Sequence, residues 1–388
     1  MYLLAYLYLQ SAAWCFPVFC ALFCAMAEWF YRGTPRADES WFWLGCVAVT
    51  ALAATFGENR VWEGYTPLFT HAFAVYYVLC RSGRLLEGES GQLLPLDALF
   101  GLIVFPFKHL FLRIRTVSFA LTHRKTGEET HPAAWAAMAV GALLALGLLA
   151  LAVRELSGAD AAFDAWTQKL LGVFQWRLNE QTLWNVLLSL PVGAYLFGLI
   201  AGTGREKIEA VRARGERVNA ALGSLRKVPV AVWTAALGVF AALYLAFFSL
   251  QAGYLFGAFV KMIPDGYTIA EYARQGFFSL CRVMAVNFAL LWLVMRACVK
   301  PVRQEKTLLL LCAVLLCQSL VFAAIAASKL YLYISSYGFT PRRLQSAWLI
   351  AVLAAGTGCA LYSLVTGKKA VRYWMLFSAA TLMLLSLY

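Results

Sequence analysis

Long apolar segments decide what this chain can fold into. A membrane-spanning helix needs about 20 consecutive apolar residues to cross roughly 30 Å of hydrocarbon, and the chain contains about eleven segments of this kind. Of its 388 residues, 62% are hydrophobic and only 14% are charged, against roughly a quarter charged in a soluble domain. These features exclude a water-soluble globule. They predict an all-α, polytopic transmembrane bundle of about 11 helices (10–12), in which residues 1–388 form one integral membrane domain with no sizeable soluble domain.

One of the expected spans, 95–112, is interrupted. Pro106 lies inside it, and Lys108 and His109 lie near its end, so a re-entrant or interfacial segment is the alternative at this point. Its loss would change whether the number of crossings is odd or even. The expected spans are 3–30, 41–57, 65–80, 95–112, 133–153, 183–203, 229–251, 270–297, 307–328, 343–365 and 370–387.

The distribution of Lys and Arg predicts an orientation. With eleven spans, 20 of these residues fall on one side and 11 on the other, and Arg274 and Arg282 lie within a helix. Arg81 and Arg84 belong to the poorer side, whereas the loop 204–228 and Arg372 belong to the richer side. Because cytoplasmic loops carry the excess of basic residues, the N-terminus is expected in the cytoplasm and the C-terminus outside.

The formal net charge of +13 does not indicate nucleic-acid binding. A nucleic-acid site gathers its basic residues on one accessible module, whereas here they are spread over many loops. The richest loop, 204–228, is expected to be either a solvated cytoplasmic anchor or a short interfacial helix attracted to anionic lipid headgroups. The basic residues expected to meet such lipids are Arg205, Arg212, Arg214 and Arg217.

Two polar segments, 252–278 and 329–344, stand out against the apolar background and fall on the same predicted outer side. Charged groups inside a membrane are costly unless they face protein or water, so Arg282 and Asn287 are expected to point inward. Within 329–344, Gly338 and Pro341 predict a turn, and Thr340 is expected to cap the helix that follows, with Pro341 at its first position. The two segments together predict a ligand pocket. An ion-pair network and an aromatic belt at the membrane surface are the alternatives. The candidate ligand-binding residues are Gln251, Tyr254, Asp265, Glu271, Tyr272, Arg274, Arg282, Tyr337, Arg342 and Arg343.

No metal site, cofactor or catalytic residue is predicted. The four histidines lack the spacing of a zinc site, and the ten cysteines include no C-x-x-C pair. Most of the cysteines lie in apolar runs and are interpreted as small buried hydrophobes. Examples are Cys20, Cys24, Cys46, Cys312 and Cys317.

Several runs resemble a known group of bacterial multi-pass membrane proteins. The runs are Gln251–Gly257, Tyr267–Phe278 (YTIAEYARQGFF) and Tyr333–Leu344 (YISSYGFTPRRL), together with His71–Gly88 and Leu96–Phe107. They are similar to segments of the domain-of-unknown-function families DUF4153 and DUF4173. The resemblance implies a protein of the bacterial cytoplasmic (inner) membrane and brings no established activity or ligand. The sequence departs from the usual pattern at Gln275 and Ala258.

Three functional hypotheses follow. The first is a non-enzymatic membrane protein that binds a ligand, lipid or envelope component at the outer polar cluster, with a permease-like or sensory role. The second is a membrane-embedded transferase or hydrolase acting on a lipid-linked substrate, with Asp265 or Glu271 as general base and Arg342 or Arg343 holding a phosphate. The third is a scaffold subunit of a membrane complex.

Overall fold

The computed structural model of the protein describes residues 14–56, 65–122, 152–153, 155–156, 160, 163, 180–250 and 268–387. Throughout this part of the chain the regular structure is helical, which confirms the predicted all-α class. The chain divides into two compact units. The larger unit comprises Phe16–Leu99 and Glu206–Tyr388, and the smaller unit includes Phe100–Arg205.

The principal helices are numbered in chain order. They are α1 (Cys15–Phe30), α2 (Ser40–Phe56), α3 (Thr66–Ser82), α4 (Leu94–Leu99), α5 (Leu112–Thr122), α6 (Glu180–Phe197), α7 (Ile208–Gly223), α8 (Val230–Leu250), α9 (Ile269–Ala297), α10 (Lys306–Tyr337), α11 (Pro341–Thr366) and α12 (Val371–Leu387). Short π-helical segments cover Phe100–Val104 and Gly198–Gly202, and short α-helices cover Phe105–Lys108 and Thr203–Arg205.

Five helices in the described residues are long and apolar enough to cross a membrane. They are Leu187–Arg205, α8, α9, α10 and α11. The apolar helices Phe16–Phe30, α2 and α12 are shorter. The chain is therefore a membrane protein by the length and composition of its helices, but the expected count of about 11 spans is not confirmed. Most of the expected span 133–153 lies outside the described residues.

The expected span 95–112 is not one of these five helices. The α-helical geometry changes to π-helical at Phe100, and the helix that follows ends at Lys108. Pro106 lacks the backbone N–H that a regular helix needs, and π-helical turns accommodate such irregularities. The helical residues between Leu94 and Lys108 cover only about 22 Å at 1.5 Å per residue, which is less than the hydrocarbon thickness.

Helix α10 lies at the centre of the larger unit, packed against α8, α9 and α11. Leu308, Cys312, Leu315 and Leu316 of α10 are buried in this core. Cys20, Cys24 and Cys46 are also buried, as predicted, but Cys317 is exposed and the prediction for it is wrong. Position 317 follows the buried Leu315 and Leu316 on α10, so it turns to the outer surface of the helix.

One end of the larger unit carries most of its positive charge. This end, called the basic face below, consists of loops 31–39, 83–93, 224–229, 298–305 and 367–370 and of α7. Hydrogen bonds and ion pairs join these segments. They run from Ala37 N to Cys80 O (3.0 Å), from Arg84 Nε to Glu206 O (2.7 Å), from Val228 N to Ala297 O (3.0 Å), from Arg303 Nη2 to Val365 O (2.9 Å) and between Arg372 Nε and Glu39 Oε1 (2.5 Å).

These contacts correct the predicted topology. The eleven-span scheme places Arg84 and Arg372 on opposite sides of the membrane, yet Arg84 contacts Glu206, and Arg372 contacts Glu39 and Glu89 of the loops at the same face. The scheme has three spans between residues 94 and 206, which would put the loop 83–93 and Glu206 on opposite sides of the membrane. The assignment of Arg81 and Arg84 to the opposite side from Arg372 is therefore wrong.

Candidate functional site

A pocket lies at the end of the larger unit opposite the basic face. Its volume is about 420 Å³, within the range of small-molecule sites. We call it the outer-end pocket, and it lies between α9, the end of α10 and the start of α11. Its lining residues are Phe277, Phe278, Leu330, Tyr333, Thr340, Arg342, Arg343 and Ser346. Residues of both predicted polar segments therefore line one cavity.

A sharp connection between α10 and α11 builds the polar wall of the outer-end pocket. Gly338 has φ +79°, a conformation that glycine adopts without steric cost, and it ends α10. Thr340 is extended and Pro341 takes the first position of α11, where a proline is well tolerated. The predicted turn and helix start are confirmed. The Thr340 side chain makes no capping hydrogen bond to the described residues, so the predicted cap is wrong.

This connection places two arginines in the first turn of α11. That turn contains no acidic residue, although the positive end of the helix dipole favours negative charge there. Two adjacent guanidinium groups at a helix N-terminus therefore repel the helix dipole and each other. An anion at this position would relieve both repulsions.

Aromatic rings hold one of these arginines in place. The Arg343 guanidinium lies 4.2 Å from the ring centre of Tyr333 and 5.9 Å from that of Tyr337, and Arg343 Nη1 donates a hydrogen bond to Gly338 O. Such stacking fixes the plane of the guanidinium. Arg342 is exposed. The pocket thus presents one fixed and one accessible cation.

The opposite wall of the pocket is apolar. Phe277 and Leu330 are buried, whereas Phe278 is 57% exposed. Beside this wall the Lys329 side chain of α10 lies across Gly276 of α9, where an alanine Cβ would overlap its Nζ. The pocket therefore combines cations on one side with aromatic and aliphatic surface on the other.

A family model described as "Domain of unknown function (DUF4153)" matches residues 3–388. The chain belongs to the DUF4153 family. The resemblance seen in the sequence is thereby confirmed. No curated protein and no solved structure matches the chain.

Only part of the predicted candidate set of this DUF4153 protein lines the pocket. Arg342 and Arg343 do, and Tyr337 lies against Arg343. Glu271 is not one of the lining residues. Its carboxylate accepts hydrogen bonds from Thr268 N (3.2 Å) and Thr268 Oγ1 (2.7 Å). Gln251, Tyr254 and Asp265 lie outside the described residues, as do the side chains of Tyr272 and Arg274.

Of the two polar residues of α9 that were expected to point inward, one is buried and the other is exposed. Asn287 is buried, accepts a hydrogen bond from Tyr244 Oη (2.7 Å) and donates one to Ser319 Oγ (2.8 Å). Arg282 is exposed, with Nη2 3.3 Å from Ser279 Oγ, so its inward orientation was predicted wrongly. It lies four residues from Phe278, one turn along the same face of α9.

Sequence reasoning did not select the apolar wall as part of the site. Phe277, Phe278 and Leu330 look like ordinary membrane-facing residues in the sequence. The signal available was that Phe277 and Phe278 are the last residues of the polar segment 252–278. This position indicates that they lie at the same end of the helices as Arg342 and Arg343.

Proposed function

We propose that this DUF4153 protein binds an anionic amphiphile, a lipid or a lipid-like envelope component, in the outer-end pocket. Binding there would be the recognition step of a permease-like or sensory role. The observation that carries the proposal is the pair Arg342 and Arg343 in the first turn of α11, lining the same cavity as Phe277 and Phe278.

The chemistry of the two walls selects the ligand class. A phosphate or carboxylate accepts charge-assisted hydrogen bonds from guanidinium groups. The N-terminus of α11 adds the positive end of the helix dipole, although the N–H groups of Arg343 and Leu344 already donate to Thr340 O (2.9 and 3.1 Å). An acyl chain or other apolar group would cover Phe277, Phe278 and Leu330. The exposed Arg282, one turn from Phe278, would stabilise an acidic group lying along the same face of α9.

The charge distribution supports an extracytoplasmic position for this pocket. Of the 22 described Lys and Arg residues of the larger unit, 17 lie in the segments of the basic face or within one helical turn of them, whereas four, Arg274, Lys329, Arg342 and Arg343, lie toward the opposite end. Under the positive-inside rule the basic face is cytoplasmic, in the inner membrane of a bacterium. Helix α1 then ends on the cytoplasmic side, which reverses the orientation expected from eleven spans. Helix α12 starts on the cytoplasmic side, so the C-terminus is still expected outside.

The basic helix α7 supports a second contact, with anionic lipid headgroups of the cytoplasmic leaflet. Val211 and Gly215 of α7 are buried against the protein, whereas Arg212 and Arg217 are exposed. Arg214 lies 4.0 Å from Glu206, and Arg205 is exposed in the smaller unit. Because the apolar side of α7 is used for packing, attraction to lipid would be electrostatic, without insertion.

A binding measurement tests the outer-end pocket. Purified protein in a neutral detergent would be titrated with dodecyl phosphate, with inorganic phosphate and with dodecyl maltoside. An amphiphile site binds dodecyl phosphate much more tightly than either of the others. Similar affinity for inorganic phosphate would instead indicate a free anion as the ligand, and nanodiscs of anionic phospholipid distinguish bilayer lipid from a soluble amphiphile.

The matched variants are Arg342→Gln with Arg343→Gln, and Arg226→Gln as an exposed arginine at the basic face. Charge-assisted hydrogen bonds contribute about 1.5–3 kcal/mol each, so the double variant should bind dodecyl phosphate about 100-fold more weakly or worse. Unchanged affinity in a double variant with normal thermal unfolding would refute the site. Such a result would favour the scaffold hypothesis.

Cysteine labelling tests the orientation. Phe339→Cys places a thiol beside the pocket, and Lys369→Cys places one at the basic face, where both native side chains are exposed. An impermeant maleimide should label Phe339→Cys in intact cells and Lys369→Cys only after permeabilisation, relative to the wild type. The reverse pattern would place the pocket in the cytoplasm.

A further inference from the structure

Four polar side chains meet inside the larger unit near the basic face, away from the outer-end pocket. We call Trp43, Tyr76, Ser90 and Asp97 the buried quartet. They come from α2, α3, the loop 83–93 and α4, and their exposed fractions are 4%, 5%, 1% and 2%. The ring centres of Trp43 and Tyr76 are 4.6 Å apart, and the Tyr76 hydroxyl lies close to both Ser90 and Asp97.

Each member of the quartet carries an unsatisfied polar atom. Trp43 Nε1 and Asp97 Oδ2 make no hydrogen bond to any residue that the structure describes. The hydroxyls of Tyr76 and Ser90 lie beside each other, and Ser90 also lies beside the Cys80 thiol, but neither hydroxyl makes a hydrogen bond of normal geometry among the described residues. The other carboxyl oxygen, Asp97 Oδ1, accepts a hydrogen bond from Leu86 N (2.9 Å). The orphaned set therefore contains N–H and O–H donors together with a carboxylate acceptor.

Buried polar atoms in folded proteins are almost always hydrogen-bonded, and buried water is the usual partner where the protein offers none. Strain can account for one such atom, but four atoms grouped around Tyr76 share a common explanation. A water molecule needs two to four polar partners, and the quartet offers that number. Direct packing of the four groups against hydrocarbon would cost the desolvation of each.

We propose that the buried quartet is a hydrated proton-binding site, in which ordered water bridges Trp43, Tyr76 and Ser90 to Asp97, and Asp97 takes up and releases a proton through that water. On release, the O–H bond of the Asp97 carboxylic acid breaks, the electron pair stays on the carboxylate, and the proton passes to water and on to the solvent at the basic face. Uptake is the reverse.

The charges around Asp97 come from every segment that encloses it. Glu39 precedes α2 and pairs with Arg372 Nε of α12 at 2.5 Å, and Cys80 of α3 lies within electrostatic reach of Glu39, Asp97 and Arg372. Since Arg372 is committed to Glu39 and Glu89, it neutralises those carboxylates rather than Asp97.

The remaining neighbours disfavour a charged Asp97. Tyr76 is a neutral phenol, and Glu87 of the loop 83–93 adds negative charge. Burial raises the pKa of Asp97 to about 7, against the hydrogen bond from Leu86 N, which lowers it, and with a smaller contribution from Glu87; the ordinary value is about 3.9. A carboxyl group with this pKa changes its protonation in the physiological range, which an exposed carboxylate does not.

Infrared difference spectroscopy of the full-length protein in lipid tests the proposal. Spectra recorded between pH 5 and pH 9 should contain a carboxylic-acid C=O band that disappears with a midpoint near 7 and is missing from Asp97→Asn. The asparagine keeps an oxygen for Leu86 N, so it preserves the fold. Glu209→Gln, at an exposed carboxylate of α7, is the matched control and should keep the band.

Two further readouts address the water. In D₂O the band should shift within the mixing time, because water connects Asp97 to solvent. Tyr76→Phe and Ser90→Ala should each change its frequency, because each alters the hydrogen bonds at the carboxyl group. The proposal is overturned if the band persists in Asp97→Asn, if Asp97 titrates near 4, or if deuterium exchange takes minutes, as expected of a dry site.

Discussion

Two arginines contact the same oxygen of Glu28 but differ in burial. Arg81 Nε lies 2.7 Å from Glu28 Oε2, and its side chain is 3% exposed; Arg36 Nη2 lies 3.1 Å from the same atom, and its side chain is 31% exposed. Arg81 also donates to Thr34 O (3.2 Å), and Tyr77 Oη donates to Glu28 Oε1 (2.9 Å). The replacement Arg81→Met removes the buried cation and keeps much of the apolar stem.

The expected cost of this replacement follows from the burial of both partners. Removing one member of a fully buried ion pair costs about 3–5 kcal/mol, because the other charge is left uncompensated. Glu28 is 30% exposed and keeps Arg36 and Tyr77, so we expect Arg81→Met to lower the free energy of unfolding by about 2–3 kcal/mol. Arg36→Met removes a partly solvated partner and should cost about 0–1 kcal/mol.

Unfolding of the purified protein in mixed micelles, followed by circular dichroism as dodecyl sulfate is titrated, measures both variants. A difference of about 2 kcal/mol corresponds to roughly a 30-fold change in the folded-to-unfolded ratio. Equal costs for Arg81→Met and Arg36→Met would refute the reasoning, because burial would then not determine the strength of the pair. The double replacement Glu28→Gln with Arg81→Met should cost less than the sum of its parts.

Three further predictions concern packing, polar satisfaction and pH. Gly215→Ala should undock α7 and expose residues 206–228 to protease, because its Cβ would overlap the Leu86 carbonyl, whereas Gly223→Ala has no neighbour within 4 Å of its Cβ and should be neutral. Asn287→Leu should cost about 1–3 kcal/mol in the same unfolding assay by orphaning the Tyr244 hydroxyl, and adding Tyr244→Phe should recover part of that loss. The pKa of Asp97 is raised to about 7 in the folded protein, so the unfolded chain loses this proton at a lower pH, near 4. The folded state therefore loses stability between these two pH values. Relative to Asp97→Asn, the free energy of unfolding should fall by roughly 4 kcal/mol as the pH rises from about 4 to about 7 and should stay level above pH 7. A flat difference between these two proteins over that range would contradict the assignment.

The sequence predicted helices well where apolar runs end at strong local signals. The start of α11 at Pro341 and the turn at Gly338 were predicted from residue types whose backbone preferences are intrinsic. The expected membrane span 307–328 stops nine residues before the end of α10 at Tyr337, because Lys329 and the serines that follow interrupt the apolar run. In the structure Lys329 packs across Gly276 of α9, and a tertiary contact of this kind leaves no trace in local composition.

Glu271 illustrates a signal that was present but interpreted differently. Thr268 and Glu271 have the spacing of a capping box, and the structure forms both of its bonds. A carboxylate at the start of a helix is explained by that motif before a ligand needs to be invoked. No comparable local motif explains the arginines of α11, because positive charge is unfavourable at a helix N-terminus. They are therefore better evidence for a binding site than Glu271.

Removing one expected span is enough to account for the error in topology. Counting Lys and Arg by side is reliable only when each span is real, and a single false span exchanges the sides of every loop on one side of it. With the segment 95–112 treated as a crossing, the basic residues divided 20 to 11. The contacts of Arg84 and Arg372 show that residues counted on opposite sides lie at the same basic face. Within the larger unit, the excess of Lys and Arg at the basic face over the opposite end is therefore much larger than 20 to 11.

The buried quartet could not be predicted from the sequence, for a different reason. Trp43, Tyr76 and Asp97 lie in α2, α3 and α4, and Arg372 of α12 lies 275 positions after Asp97. Only the packing of these four helices brings the residues together. One feature did mark the place: Asp97 is a single carboxylate inside an otherwise apolar run from Leu93 to Phe107. An ionisable residue in such a run must find a partner, a proton or water. In this fold Leu86 N donates to one carboxyl oxygen of Asp97 and Arg372 is already paired with Glu39, so a proton and water are what remain for the other oxygen.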